Sequence, residues 1–293
     1  MNVVVCIKQV ADVEGRIVVE RGQVLIQGLI PSYVINPLDL LAIEAAIRLK
    51  EGYGEGRVTL VSMGDASAEE ALRRGIALGA DDALLLSDPA FEGSDSYATA
   101  LVLARTISTI PYHLVLCGQR ADDTQAGQVG AYLAEILGIP LVQGVVKIET
   151  TPDPNKLRLQ RKLERGARQV VECPLPAVLT VGAGLNTPRH ATIKGVLKAR
   201  RQEIPHRDAR VLGISTEEVG VSGSKVRISH ISPPKPKMKG LFVPDSRLSP
   251  VDKLKAIMGG GLVQKKSNYL EGDPKEVASQ LIRFLKQQKF VPD

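Results

Sequence analysis

The residues best placed to do chemistry lie between Cys117 and Glu135, in "CGQRADDTQAGQVGAYLAE". An apolar strand, "HLVLCG", runs into this stretch, and a helix, "TQAGQVGAYLAEILG", is expected to leave it. The free backbone N–H groups at the start of a helix attract anions. Thr124, Gln125 and Gln128 add neutral hydrogen-bonding groups, while Ala126 and Gly127 keep the path small. Gly127 lets a phosphate chain approach the backbone. Asp122 and Asp123 would repel a phosphate laid on them, but they suit ribose or adenine donors, or can orient neighbouring amides. A plainer reading is that Asp122 or Thr124 caps the helix and that Gly127 and Gly130 let it pack closely on a sheet. Both readings stand at this point.

Other chemistries lose their support. No GxxxxGK[ST] and no GxGxxG occurs, which removes the usual kinase, ATPase and dinucleotide-fold signals. There is no GxSxG elbow and no HExxH. His113, His190, His206 and His230 show no metal spacing, and His113, at the start of a strand, reads as structural. The three cysteines (Cys6, Cys117 and Cys173) form no CxxC pair, so neither zinc nor an iron–sulfur cluster is expected. Cys6 and Cys117 lie in apolar strands and read as small buried hydrophobes. What remains is a nucleotide-holding sheet without a catalytic base, nucleophile or metal, the profile of a cofactor carrier.

The elements that must position this stretch alternate. "VVVCIKQV", "RVTLVSMG", "DALLLSD" and "HLVLCG" read as strands. Between them, "NPLDLLAIEAAIRLKEG", "SAEEALRRGIALG" and "SDSYATALVLARTIS" read as helices. Asn36 is expected to cap the first helix, Pro37 to fill its first position and Gly52 to end it. Ser67 and Glu70 are spaced as a capping box for the second. "RIVVERGQVLI" reads as a hairpin turning at "ERG". Alternation of this kind predicts an α/β fold, a doubly wound, mostly parallel, Rossmann-like sheet, with ligands bound beyond the carboxyl ends of its strands. Each of those ends carries a polar or small-residue cluster: "KQVAD", "SMGD", "SDPAFEGSD" and "GQRADDTQAG". After residue 140, "VVKIE", "KLRLQRKL", "ARQVVE" and "PAVLTV" read as further strands. We expect residues 1–227 to form the α/β nucleotide-binding domain. Residues 228–293 are expected to form a proline-rich extended arm ending in a helix, "GDPKEVASQLIRFLKQ".

Composition narrows the class. The 293 residues are 44% hydrophobic and carry a net charge of +6, enough for a large core and a basic surface. Aromatic residues make up 3% and tryptophan is absent, which argues against single-strand nucleic-acid binding. No apolar run is long enough to cross a bilayer. "MNVVVCIKQV" reads as a first strand rather than a secretion signal, so a cytoplasmic location is expected.

Taken together, these motifs resemble the beta subunit of electron transfer flavoprotein over nearly the whole chain. The resemblance is carried by "VVVCIKQV", "INPLDLLAIEAAIRLKE", "TLVSMGDASAEEALRRGIALGADDALLLSD" and the stretch from Cys117. "LQRKLERGARQVVECPLPAVLTV" and "GLNTPRHATIKGVLKARR" continue it, with a departure at "LERGARQ", where many members have an acidic residue followed by two glycines. The resemblance implies a heterodimer with an alpha subunit that carries a redox-active FAD and is gripped by the C-terminal arm. It implies an adenine nucleotide in this subunit, AMP in simple carriers or a second FAD in electron-bifurcating members. Carried over by position, its contacts fall on Cys6, on Asn36, Pro37, Leu38 and Asp39, on Met63 and Gly64, and on Ala121 to Val129. "GLNTPRHAT" resembles the loop by which beta subunits grip acyl-CoA dehydrogenases, with Leu185 as the peg and Pro188 and Arg189 beside it. The competing reading is a loop leucine packed on its own sheet.

The short loop "GQRADDTQAGQVG" and the stretch "SDPAFEGSDSYATA" resemble the bifurcating type, which adds Gly93, Asp95 and Thr99 as candidate contacts. A capped helix start explains the same residues. The bifurcating resemblance implies that NADH gives a hydride to the FAD of this subunit. One electron then passes to the alpha-subunit FAD, and on to an acyl-CoA dehydrogenase or quinone-linked flavoprotein. The other passes to ferredoxin or flavodoxin. With AMP instead, the chain only shapes and docks a simple carrier. A stand-alone ATP-binding stress-type protein is the alternative from another class.

Overall fold

Apolar residues in "VVVC" alternate between two helical layers, and this alternation sets the architecture. The computed structural model describes residues 1–12, 16–20, 23–27, 33–229, 249–258, 273–287 and 290. The first strand, β1 (Val3–Cys6), is buried on both faces. Val3 and Val5 point into a core built with the helices α1 and α2, whereas Val4 and Cys6 point into a second core on the opposite face. In chain order, β1 is followed by β2 (Gln9–Ala11), β3 (Arg16–Glu20), β4 (Gln23–Gln27), β5 (Tyr33–Ile35), α1 (Pro37–Tyr53), β6 (Val58–Met63), α2 (Ala68–Leu78), β7 (Asp82–Leu86), α3 (Ser96–Ile107) and β8 (Leu114–Gly118). Then come α4 (Val129–Leu137), β9 (Leu141–Thr150), β10 (Lys156–Lys162), β11 (Arg168–Pro174), β12 (Ala177–Val181), α5 (Ile193–Arg201), β13 (His206–Arg207) and the short α6 (Gly220–Gly223).

Nine strands form one sheet in the order β11-β10-β9-β12-β8-β1-β6-β7-β13. From β9 to β13 the neighbours pair parallel, while β10 and β11 add an antiparallel hairpin at one edge. Helices α1, α2 and α5 pack on one face, and α3 and α4 on the other. This is the doubly wound α/β sheet expected from the alternation. From central β1 the chain adds β6 and β7 on one side, then crosses to lay β8 on the other. The switch point therefore falls between β1 and β8, where Cys6 stands opposite Cys117. Two small antiparallel pairs, β2 with β5 and β3 with β4, rise after β1.

Several helix boundaries differ from expectation. Helix α1 passes Gly52 and stops at Tyr53, with Gly54 as its left-handed cap (φ 75°). Ser67 and Glu70 make no capping box. The Ser67 hydroxyl is held by Asp65 and Gln9, and Glu70 pairs with Arg74 one turn on. Helix α4 begins at Val129 rather than Thr124, so neither Asp122 nor Thr124 caps it. Gln125 (φ 53°) and Gly127 (φ 64°) both adopt left-handed backbone, which a continuing helix cannot accommodate. Gly130 does permit close packing, since a Cβ there would lie 2.4 Å from Thr180 Cγ2 and 3.1 Å from Cys117 Sγ.

The chain divides into two compact units, Met1–Pro233 and Pro234–Asp293. In the second, the described residues form α7 (Pro250–Met258) and α8 (Pro274–Gln287). The latter is the helix expected at "GDPKEVASQLIRFLKQ", with Pro274 at its first position. Helix α7 was not anticipated. Ser249 starts it by accepting from the Asp252 N–H at 3.2 Å and donating to its carboxylate at 2.6 Å. The extended arm expected from residue 228 falls mostly at 230–248, outside the described residues. Among the described residues, no helix is long and apolar enough to cross a membrane.

Candidate functional site

The start of α1 is wedged against the switch point. Asp39, in the first turn, is only 5% exposed, and its carboxylate points inward. It accepts from the Lys8 N–H at 2.8 Å, just beyond β1, and from the Gly118 N–H at 2.8 Å, at the end of β8. Asn36 is 1% exposed and makes no cap with its side chain. Instead its Nδ2 donates to the Arg120 carbonyl (3.1 Å) and its Oδ1 accepts from the Asp122 N–H (3.1 Å). Its backbone N–H donates to the Lys8 carbonyl at 2.9 Å. Leu38 closes against Gly118, where an added Cβ would meet Asp39 Oδ1 at 2.3 Å and Leu38 Cβ at 2.9 Å. Pro37 occupies the first helical position and is exposed. One helix start thus ties two strand ends to the loop that follows β8.

Electrostatics here follow from burial. Desolvation drives the Asp39 carboxyl up to about 7, against hydrogen bonds from the Lys8 N–H, the Asn36 side chain and the Gly118 N–H. Burial likewise raises Cys117 to about 12 and Cys6 well above the usual thiol value, so both are neutral small side chains.

Beyond Gly118 the loop opens. Ala121 is half-buried, Asp122 to Gln128 are exposed, and Val129 is half-buried at the first turn of α4. Asp123 accepts from the Thr124 N–H (2.7 Å) and pairs with the Lys8 ammonium (2.6 Å). Gln125 Nε2 donates to the Asp122 carbonyl at 3.3 Å, and Ala126 lies between the two left-handed residues. At Gly127 an added Cβ would approach the Gln119 carbonyl to 3.3 Å. Asp123 therefore shapes the loop through its side chain and Asp122 through its backbone, while the face of residues 122–128 stays open beside the start of α4. Lys8 was not singled out from sequence. Its signal was its place in "KQVAD", immediately past the carboxyl end of the central strand.

Met63 and Gly64 end β6, next to β1, and Gly64 donates to the Leu86 carbonyl of β7 at 3.0 Å. Gly93, Asp95 and Thr99 follow β7, two strands from β1. Around them the 220s segment closes in. An added Cβ at Gly93 would lie 2.6 Å from Val221 Cγ2. Asp95 caps α3 through the Ala98 N–H (2.9 Å) and also accepts from the N–H groups of Lys225 (2.7 Å) and Val226 (2.8 Å). Burial raises its pKa, but these backbone bonds outweigh that and leave it below the ordinary aspartate value. Thr99 is half-buried within α3. The switch-point residues are thus stitched together, whereas these three belong to a separate capped helix start.

The segment expected to dock a partner is fastened to the same helix. Arg189 donates from Nε to Glu44 (2.9 Å) and from Nη1 and Nη2 to Glu51 (2.7 and 2.9 Å). Arg48 donates to the Thr187 carbonyl (3.1 Å), and Asn186 to the Leu41 carbonyl (2.9 Å). Leu185 packs half-buried against the core, and Pro188 is also half-buried. The exposed apolar side chains lie further on, in α5: Ile193 (83% exposed), Val196 and Leu197, among Lys194, Lys198, Arg200 and Arg201. Their spacing marks one helical face, the signal that reading "GLNTPRHAT" alone passed over.

Comparison with known proteins agrees with this architecture. Residues 31–212 match the electron transfer flavoprotein domain. Over 82% of its length the chain is 41% identical to electron transfer flavoprotein subunit beta of Thermoanaerobacterium thermosaccharolyticum, covering 91% of that protein. It is 37% identical, over 83% of its length, to the beta subunit of Megasphaera elsdenii, covering 91% of it. It is also 34% identical, over 90% of its length, to the caffeyl-CoA reductase-Etf complex subunit CarD of Acetobacterium woodii, covering 97% of it. With its doubly wound sheet and the matches on both levels, the chain belongs to the beta subunits of the electron transfer flavoprotein family, proteins of electron transfer.

Proposed function

We propose that the mouth between β1 and β8 holds an adenine nucleotide, with FAD the favoured occupant. The observation that carries this reading is the corner made by Asn36 and Asp39, which joins both strand ends to an open loop at the topological switch point. The residues fit such a group. The loop face from Asp122 to Gln128 is exposed, Gly127 bears no side chain, and the adjoining helix start offers free N–H groups to a pyrophosphate. Lys8, paired with Asp123, supplies positive charge at the rim. The Asp123 carboxylate, held by Lys8 and the Thr124 N–H, keeps the loop in shape rather than meeting phosphate.

An FAD bound here supplies hydride acceptance and one-electron transfer. The chain's own part is to bind it, orient it and present it beside an alpha subunit carrying a second FAD. The favoured donor is NADH, and the favoured low-potential acceptor is ferredoxin or flavodoxin. A flavoprotein dehydrogenase or quinone-linked partner docks on the apolar, basic face of α5. Similarity to CarD, a subunit of a caffeyl-CoA reductase-Etf complex, favours an assembly that includes a reductase.

The test is nucleotide content. The chain is co-expressed with its alpha partner, the complex is denatured, and the released nucleotides are separated by chromatography. Two FAD per heterodimer is the expected result. One FAD and one AMP would leave a simple carrier, and ATP on a chain that joins no alpha partner would overturn the reading.

A further inference from the structure

We propose that Asp39 is the positioning residue of the nucleotide mouth: its carboxylate ties the ends of β1 and β8 together and makes ligand affinity depend on its ionisation. This rests on the nucleotide-site reading above. An acidic residue in the first turn of a helix ordinarily faces water and complements the helix dipole. Asp39 instead turns inward and bonds the N–H groups of Lys8 and Gly118 at 2.8 Å each. The neighbouring glycine admits this approach, because a Cβ at position 118 would collide with Oδ1. Lys8 is gripped on its other side as well, its carbonyl accepting from the Asn36 N–H. Residues 119–122 leave directly from Gly118, so the open loop inherits whatever position the carboxylate gives that strand end.

The charge on Asp39 is met by neutral amides. The cation bearing on it, Lys8, sends its ammonium to Asp123 instead. The other titratable groups facing it, the Cys6 and Cys117 thiols, stay protonated. A carboxylate held this way gains a proton near neutrality, consistent with a value of about 7. Once protonated, one oxygen becomes a hydroxyl, a much poorer acceptor than a carboxylate oxygen, and the bond from either the Lys8 or the Gly118 N–H weakens. The clamp is complete only in the ionised form. The nucleotide is therefore held more tightly above pH 7 than below it, although the added negative charge alone would act the other way on an anionic ligand. Asp39 touches no phosphate in this account and acts through the two backbones that it joins.

The experiment uses the alpha–beta heterodimer with its alpha-subunit FAD retained and the mouth of this subunit emptied, so that the titration reads one site. FAD affinity is titrated by flavin fluorescence from pH 6 to 8.5 for wild type and Asp39→Asn, and the Asp39 carboxyl of wild type is followed by carbon-13 NMR. FAD itself has no phosphate titration in this range. Wild-type affinity should rise about tenfold with a midpoint near that of the carboxyl signal. Asp39→Asn presents an amide N–H₂ to one of the two backbone donors, so it should bind about tenfold more weakly at pH 8 with a flat profile. Affinity that is flat or falls with pH in wild type, or a slope kept in the variant, overturns the proposal. If the variant does not fold, the wild-type profile and the carbon-13 midpoint decide alone. A heterodimer that takes up no nucleotide beyond the alpha-subunit FAD at any pH overturns the nucleotide reading itself, whereas an FAD bound in this subunit with a flat profile overturns only the role of Asp39.

Discussion

Asp39 and Glu44 lie five residues apart on one helix, are 5% and 3% exposed, and have opposite chemistry. Burial raises both. Asp39 is hydrogen-bonded by neutral backbone donors and an amide side chain, and the attraction of the Lys8 ammonium is the weakest of the opposing causes, so desolvation wins and its pKa climbs to about 7. At Glu44, hydrogen bonds and charge from Arg189 and Arg48 outweigh desolvation, and its pKa falls below the ordinary glutamate value. Glu51, across the same guanidinium, is lowered too, chiefly by its hydrogen bonds from Arg189. Depth of burial is therefore a poor guide to the behaviour of a carboxylate, and the charge of its partner decides. One end of α1 sets a geometry that titrates near neutrality, and its middle sets one that holds through the neutral range.

The largest expected effect separates these two groups by pH. Asp39 binds its proton more tightly folded than unfolded, so its contribution to stability is fully present below the unfolded value of 3.8 and is lost as pH rises through about 7. The loss is at most about 4 kcal/mol. Glu44 and Glu51 behave oppositely, stabilising above their ordinary value of 4.5 and losing that contribution as pH falls through their lowered folded values. Urea unfolding across pH 3 to 8 should show Asp39→Asn removing the decline toward neutrality and Glu44→Gln removing part of the acid loss. If both variants follow the wild-type curve, partner charge does not govern these sites.

Next in size is Gly118→Ala. Its Cβ would sit 2.3 Å from Asp39 Oδ1 and 3.1 Å from Asn36 Nδ2, both on side chains already fixed by hydrogen bonds. Neither can swing away, so we expect a loss of about 3 kcal/mol in urea unfolding, with weaker nucleotide binding in the molecules that remain folded. At the other end of this comparison, Glu44→Gln leaves Glu51 as the anionic partner of Arg189. It should cost about 2 kcal/mol at pH 7 and speed amide exchange in residues 184–190 without changing nucleotide affinity.

The layers of the fold were legible because period-two and helical apolar patterns run through the first unit with clear breaks. The site was legible only as a neighbourhood. Asn36 and Asp39 read as a cap and a first-turn acid. Their partners at Lys8, Gly118, Arg120 and Asp122 lie 31 to 86 residues away, beyond any local rule. The start of α4 moved by five residues because a left-handed backbone at Gln125 leaves no local signal in that residue type. Ser67 had the right spacing for a box, but Asp65, two residues earlier, competed for its hydroxyl. At Asn36, Asp39 and Ser67, a side chain that could cap a helix was taken by another partner.

The smallest effect on stability belongs to the sharpest question about the docking segment. Leu185 was the expected peg, yet it packs half-buried against the core, while Ile193 stands 83% exposed on a basic helix. The two should therefore separate folding from docking. Ile193→Ser removes a side chain that touches little, so urea unfolding should shift by less than about 0.5 kcal/mol. If α5 meets the partner, the KM for a flavoprotein dehydrogenase in a coupled electron-transfer assay should rise about tenfold with kcat held, as for loss of an apolar anchor. Leu185→Ser should do the reverse, losing about 2 kcal/mol of stability while changing KM only through the fraction folded. A KM that follows Leu185 and ignores Ile193 would return the peg to the loop. It would also mean that a half-buried leucine leaves the core when the partner arrives, because its present packing leaves too little surface to anchor another protein.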